Sequence, residues 1–161
     1  MKIINRIIAS TIFVIVASHA AGQGAVFHSA EIEAGVKKHI GLVEGDNVTV
    51  EQLDTITTLN LSGLGLTDIQ DVRMVPNLQT IDLSYNEIDD VSPLAQLEFL
   101  KEVNLSHNML KSINMLTFTS SDEMIVDVGF NYISDFSCFN TLTSCVFIIK
   151  GAGLQKTIEN N

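Results

Sequence analysis

Residues Asn77–Leu100 read NLQTIDLSYNEIDDVSPLAQLEFL, and their apolar positions follow neither a plain helix nor a plain strand. Ile81 and Leu83 alternate with Thr80, Asp82 and Ser84, the pattern of a short strand with one buried face. Asn86 stands where the chain must turn. Ile88, Val91, Leu94 and Leu97 then supply apolar groups around the rest of a loop that returns to Leu100. Such a unit cannot shield its own apolar side. It needs copies stacked above and below it.

The copies are present. Leu59/Leu61 are followed by Ile81/Leu83, Val103/Leu105, Val126/Val128 and Phe147/Ile149, at steps of 22, 22, 23 and 21 residues. The longer step carries a one-residue insertion near Ser120-Ser121-Asp122. Five positions after the second strand residue stand Leu66, Ile88, Leu110, Ile133 and Leu154. Eight after it stand Ile69, Val91, Ile113 and Phe136, with Thr157 in the last coil. Asn86, Asn108 and Asn131 each sit three after that residue, where a side-chain amide can pair with backbone groups that the turn leaves unsatisfied. Leu64 and Ala152 replace the asparagine at the two ends, as terminal repeats are expected to be atypical.

Ahead of the repeats, the spacing of Ile32, Val36 and Ile40 predicts an amphipathic helix over Ala25–Leu42. Ser29 is placed to cap its start, and Gly41 to stop it. Thr49 and Gln52 form a second start signal, a capping box. A helical cap would cover the first coil's open end. Residues 1–22 differ in kind: Lys2 and Arg6, an apolar run from Ile7 to Ala17, then Ser18-His19-Ala20-Ala21-Gly22. That layout predicts a secretory signal peptide cleaved after Ala20 or Gly22. The apolar run is shorter than the roughly 20 residues a membrane span needs. The predicted organisation is a signal peptide over 1–22, a helical cap over 23–55, repeats over 56–158 and a short tail over 159–161.

Losing the first 22 residues leaves seven basic against nineteen acidic residues, taking the net charge from −10 to −12. Such a surface disfavours nucleic-acid phosphates and anionic lipid and suits either solubility or a partner with a basic face. Cys138 and Cys145 lie seven apart, and export permits a disulfide between them. Two buried free thiols are the other reading.

The segments LNLSGLGLTDI, IDLSYNEIDDVSPLAQLEFL and VNLSHNMLKSI resemble leucine-rich repeats of the 22-residue type found in bacterial internalin-like proteins. The resemblance covers roughly Ser29 to Ile158. It implies an α/β fold: a right-handed solenoid of about five coils with a parallel concave sheet, short helical or irregular convex segments and an N-terminal helical cap. It also implies a protein-binding role.

Strand alternation turns Thr80, Asp82 and Ser84, then Glu102, Asn104 and Ser106, then Ile125, Asp127 and Gly129 away from the core. Beside them runs the column Gly63, Tyr85, His107, Phe130, Gly151. Coils about 4.8 Å apart would bring its aromatic members into one ridge over a polar shelf. Aromatic anchors are enriched at interfaces; the other reading is a variable, half-exposed position in the turn before the asparagine. The candidate partner-binding residues are therefore Thr80, Asp82, Ser84, Tyr85, Glu102, Asn104, His107, Asp127 and Phe130, with another protein as partner.

No catalytic constellation, phosphate-cradling glycine loop or calcium loop is legible, and no metal or cofactor is expected. Ser106 beside His107 lacks an orienting acid and an oxyanion site, so a hydrolase is the weakest reading. Asp89-Asp90 reads as a solvated acidic corner. The main rival to an exported binding module, periplasmic or secreted, is self-assembly. Its motive is the apolar strand Val146-Phe147-Ile148-Ile149, whose edge would invite strand addition.

The repeat register is checked by two substitutions in a denaturation series. Leu83→Ala is expected to cost about 2–5 kcal/mol, and Glu87→Ala under about 0.5 kcal/mol. Equal effects would refute the register.

Overall fold

The computed structural model describes residues 24–112 and 124–134, together with the backbone of two further strands at 145–149 and 156–159. The signal segment, the insertion near Ser120, Ile113, Phe136, Leu154, the 151–152 positions and Cys138 lie outside the described residues.

The first helix, α1, spans Ala30–Ile40. Ser29 caps it, its hydroxyl accepting from the Ile32 N–H at 3.1 Å. Glu31 and Glu33 occupy the first turn, and Lys37, Lys38 and His39 the last, each complementing the helix dipole. Lys37 Nζ meets Glu33 Oε1 at 2.7 Å one turn earlier. Gly41 ends the helix in the left-handed region, φ 75°. The Glu31 carboxyl is held below its usual range by its own backbone N–H and then by the Ser29 hydroxyl. The helix starts five residues later than its apolar spacing suggests. Gly24 instead makes an antiparallel bridge with Thr49, and the Ala25 N–H donates to Val48 O at 2.6 Å. Helix α2, Val50–Asp54, carries the expected capping box: Gln52 N–H to Thr49 Oγ1 at 3.3 Å, Thr49 N–H to Gln52 Oε1 at 2.9 Å.

One sheet follows, its strands adjacent in chain order: β1 Thr58–Asn60, β2 Thr80–Asp82, β3 Glu102–Asn104, β4 Met124–Asp127, β5 Cys145–Ile149 and β6 Lys156–Glu159. The first five are parallel. Their register aligns Leu59, Ile81, Val103, Val126 and Phe147, the column spaced in the sequence. Leu61, Leu83 and Leu105 are fully buried behind the sheet, with Ile69, Ile88, Val91, Leu94 and Leu110. Between strands, 3-10 turns at Gln70–Met74 and Ser92–Gln96 form the opposite side of the coils. Pro93 opens the second, where a missing N–H leaves no bond unmade. Asp68 and Asp90 head these turns, accepting from the Gln70 and Ser92 N–H groups at 2.8 Å each. The acidic corner thus has a structural role at Asp90.

One feature corrects the sequence reading and a second goes beyond it. Strand β6 runs antiparallel along β5, pairing Phe147 with Ile158 and Ile148 with Thr157. Thr157, expected on the far side of a fifth coil, lies in the sheet instead. The β5 edge expected to stand open is covered by the chain itself, which pairs backbone groups that would otherwise be left over. The second feature is Asp71, only 4% exposed. Its Oδ2 accepts the N–H groups of His28 and Ser29 at 2.7 and 2.8 Å, and its Oδ1 lies 3.0 Å from His28 Nδ1. One carboxylate thereby ties the start of α1 to the first coil. Farther along α1, Gly35 lies so close to Leu61 that a Cβ there would collide with it.

Asp71→Ala is expected to cost about 2–3 kcal/mol, because it removes a charged acceptor and orphans two N–H groups. Hydrogen exchange should show α1 amides losing protection while β3 keeps it, since coils contact only their neighbours. Unchanged protection of α1 would refute the tether.

Candidate protein-binding surface

The outward strand residues all end in the same local device. The side-chain Oδ1 atoms of Asn60, Asp82, Asn104 and Asp127 accept from the N–H two residues on: Ser62 at 2.9 Å, Ser84 at 2.9 Å, Ser106 at 3.1 Å and Gly129 at 2.9 Å. Short side chains with an acceptor oxygen favour this turn. Asp82, Asn104 and Asp127 therefore face outward, half-buried, while doing structural work that strand alternation alone did not reveal. Thr80 is half-buried beside them, and Glu102 is exposed.

Ser84 departs from expectation. Alternation past Asp82 should turn it outward, yet it is 4% exposed, and Ser106 is 9% exposed. The reason is that the strands stop at Asp82 and Asn104 and the chain bends at once. Ser84 cannot contribute contact area and leaves the candidate surface.

The bend turns on one residue per coil. Tyr85, His107 and Phe130 have φ of 56°, 57° and 55°, and Gly63 has φ of 67° at the same position. Non-glycine residues in this left-handed region are strained by roughly 1–2 kcal/mol each. At Tyr85 and His107 the kink lets a buried serine and a buried asparagine stand on either side of an outward side chain. The glycines at positions 63 and 151 were the signal in the sequence for such a backbone, but only two of the five repeats carry one.

The three rings form a continuous stack. Tyr85 and His107 have centroids 4.2 Å apart at an interplanar angle of 10°, and His107 and Phe130 are 4.2 Å apart at 11°. The ridge expected from the spacing is thus formed, rings face to face, with Tyr85 62% and Phe130 50% exposed. His107 is half-buried between them.

Immediately inside runs the asparagine ladder. Asn86 Oδ1 accepts from the Leu64 and Leu66 N–H groups at 3.0 Å each, while its amide donates to Leu61, Leu83 and Ser84 carbonyls. Asn108 accepts from Ile88 N–H and donates to the Leu83, Leu105 and Ser106 carbonyls. Asn131 repeats the pattern with Leu110 N–H and the Leu105, Val128 and Gly129 carbonyls. Each rung bridges its own coil and the one before. Among the described residues no group of three or more His, Cys, Asp or Glu is placed to hold a metal ion. Ser106 Oγ donates to Asn104 Oδ1 at 2.8 Å, so it is not aimed at His107 as a nucleophile would be.

Residues 54–96 and 76–118 match a family model described as Leucine Rich repeats (2 copies). An internalin (inlF) from Listeria monocytogenes is similar at 27% identity, with a TM-score of 0.69 over 82% of this chain and 40% of that one. The functional domain of InlJ from Listeria monocytogenes, which includes a cysteine ladder, has a TM-score of 0.54 at 20% identity, over 78% of this chain and 34% of that one. The second likeness is one of fold. This chain spans less than half the length of either structure. No curated protein matches the sequence.

The division between scaffold and rim is testable by unfolding in urea. Asn108→Ala should cost about 2–4 kcal/mol, since several buried backbone groups lose their partner. His107→Gly should change stability by under about 1 kcal/mol, because relief of the left-handed strain offsets the lost stacking. The reverse order would refute the assignment of roles.

Proposed function

Starting from a leucine-rich repeat solenoid of the internalin-like, 22-residue type, we propose that this chain is an exported, non-catalytic module that binds another protein. The binding surface is the outward, concave face of the sheet together with the aromatic stack on its rim. It comprises Thr80, Asp82, Tyr85, Glu102, Asn104, His107, Asp127 and Phe130.

One observation carries this reading. Three bulky rings occupy a backbone conformation that glycine would adopt without strain, and two of them stay largely exposed. The buried side of each turn is already satisfied by asparagine, so the scaffold does not require the rings. Strain held at an exposed position points to a function, and rigid exposed aromatics suit a protein interface. The acidic net charge favours a partner with a basic face over nucleic acid or anionic lipid. The signal-like segment at 1–22 supports export to the periplasm or beyond. Self-assembly through β5 loses its motive, since β6 occupies that edge.

The test is recovery of crosslinked partners from the native envelope or medium. A Tyr85→Gly/Phe130→Gly variant is expected to lose at least about tenfold in recovery, as removal of interface anchors does, with its melting transition retained. Full recovery by a folded double variant refutes the proposal.

A further inference from the structure

The aromatic stack ends abruptly on its first-coil side. Gly63 holds the matching position there, its N–H donating to Ser84 O at 2.9 Å just as the Tyr85 N–H donates to Ser106 O at 3.0 Å. A Cβ at Gly63 would meet nothing within 4 Å. One face of Tyr85 is taken by His107. The other is bare above Gly63. The ladder therefore has a vacant rung, bounded on one side by a flat, exposed phenol ring.

Resting on the reading that this surface binds a protein, we infer that the vacant rung receives an arginine side chain of a basic partner, its guanidinium lying flat on Tyr85 above Gly63. Rings already stacked in parallel leave room for a further planar group. Guanidinium is planar and stacks on aromatic faces, whereas a lysine ammonium is a compact, strongly hydrated charge. The charge around the rung fits. Outward positions of β1 to β4 carry Asp82, Glu102 and Asp127 and no basic residue. Asp82 commits Oδ1 to the Ser84 N–H, and its Oδ2 remains for an incoming donor. A partner's phenyl ring could stack on Tyr85 as well, but it would gain nothing from this acidic setting.

The experiment is an NMR titration of the intact chain with short peptides identical except for one arginine, lysine or phenylalanine, followed at the Gly63 amide and the Tyr85 ring. The arginine peptide is expected to shift both signals and to bind roughly two- to fivefold more tightly than the lysine peptide, since the planar guanidinium stacks on the ring where the hydrated ammonium does not. Gly63→Tyr fills the rung with a fourth ring and should abolish that preference. Gly63→Ala leaves the ring face open and should keep it. Tyr85→Gly removes the platform and should also abolish it, so the outcome does not depend on one variant folding. Equal arginine and lysine binding, tightest binding of the phenylalanine peptide, or a preference that survives in folded Gly63→Tyr overturns the inference. In the partner pull-down, loss with Tyr85→Gly/Phe130→Gly but full recovery with Gly63→Tyr would remove the rung and leave the binding surface standing.

Discussion

An asparagine amide buried at the turn of each inner coil is the contact on which this structure depends. The coils are tight enough that the N–H groups of Leu64, Leu66, Ile88 and Leu110 bond to asparagine side chains, as do the carbonyls of Leu61, Leu83 and Leu105. Buried and unpaired, such groups would each cost about 1–3 kcal/mol. Asparagine suits the task because it carries an acceptor and two donors on one short planar group. Each amide also reaches the preceding coil, so the same side chain that closes a turn fixes the spacing of the stack.

This requirement shapes the surface as well. To bring an asparagine inside two residues after buried Ser84 or Ser106, the chain passes through a left-handed residue whose side chain points out. The scaffold thereby creates one outward position per coil, aligned with its counterparts by the strand register. Tyr85, His107 and Phe130 use that position, and their planes stack because adjacent coils hold them in parallel. The candidate site is a by-product of the turn geometry that this chain fills with rings.

The two ends solve a different problem, since a stack of coils always leaves a first and a last surface bare. At the start, α1 lies against the first coil, held by the Asp71 carboxylate and by the close approach at Gly35. At the other end, β6 returns along β5 and reverses the sheet's direction. Neither device belongs to the repeat. Each uses local chemistry suited to one position.

The repeat was legible in the sequence because its cause is periodic. Leu59, Ile81 and Val103 must all be apolar for the coils to pack, and Asn86, Asn108 and Asn131 must all be amides for the turns to close. The caps of α1 and α2 were legible too, because Ser29, Gly41, Thr49 and Gln52 act on backbone groups within a few residues. What escaped was set by contacts between distant segments. Nothing in the repeat pattern singles out Asp71, whose role comes from His28 and Ser29, 43 and 42 residues away. Ser84 followed strand alternation on paper, but the strand ends at Asp82, two residues before it, and the rule no longer holds there. The antiparallel course of β6 competed with a column spacing that still matched at Thr157. By itself the sequence determined which residues face the core, since burial repeats with the coil. Only the tertiary structure decided that the three rings stand on left-handed backbone and stack face to face, with Tyr85 and Phe130 exposed on either side of a half-buried His107, because that depends on backbone angles the spacing does not carry.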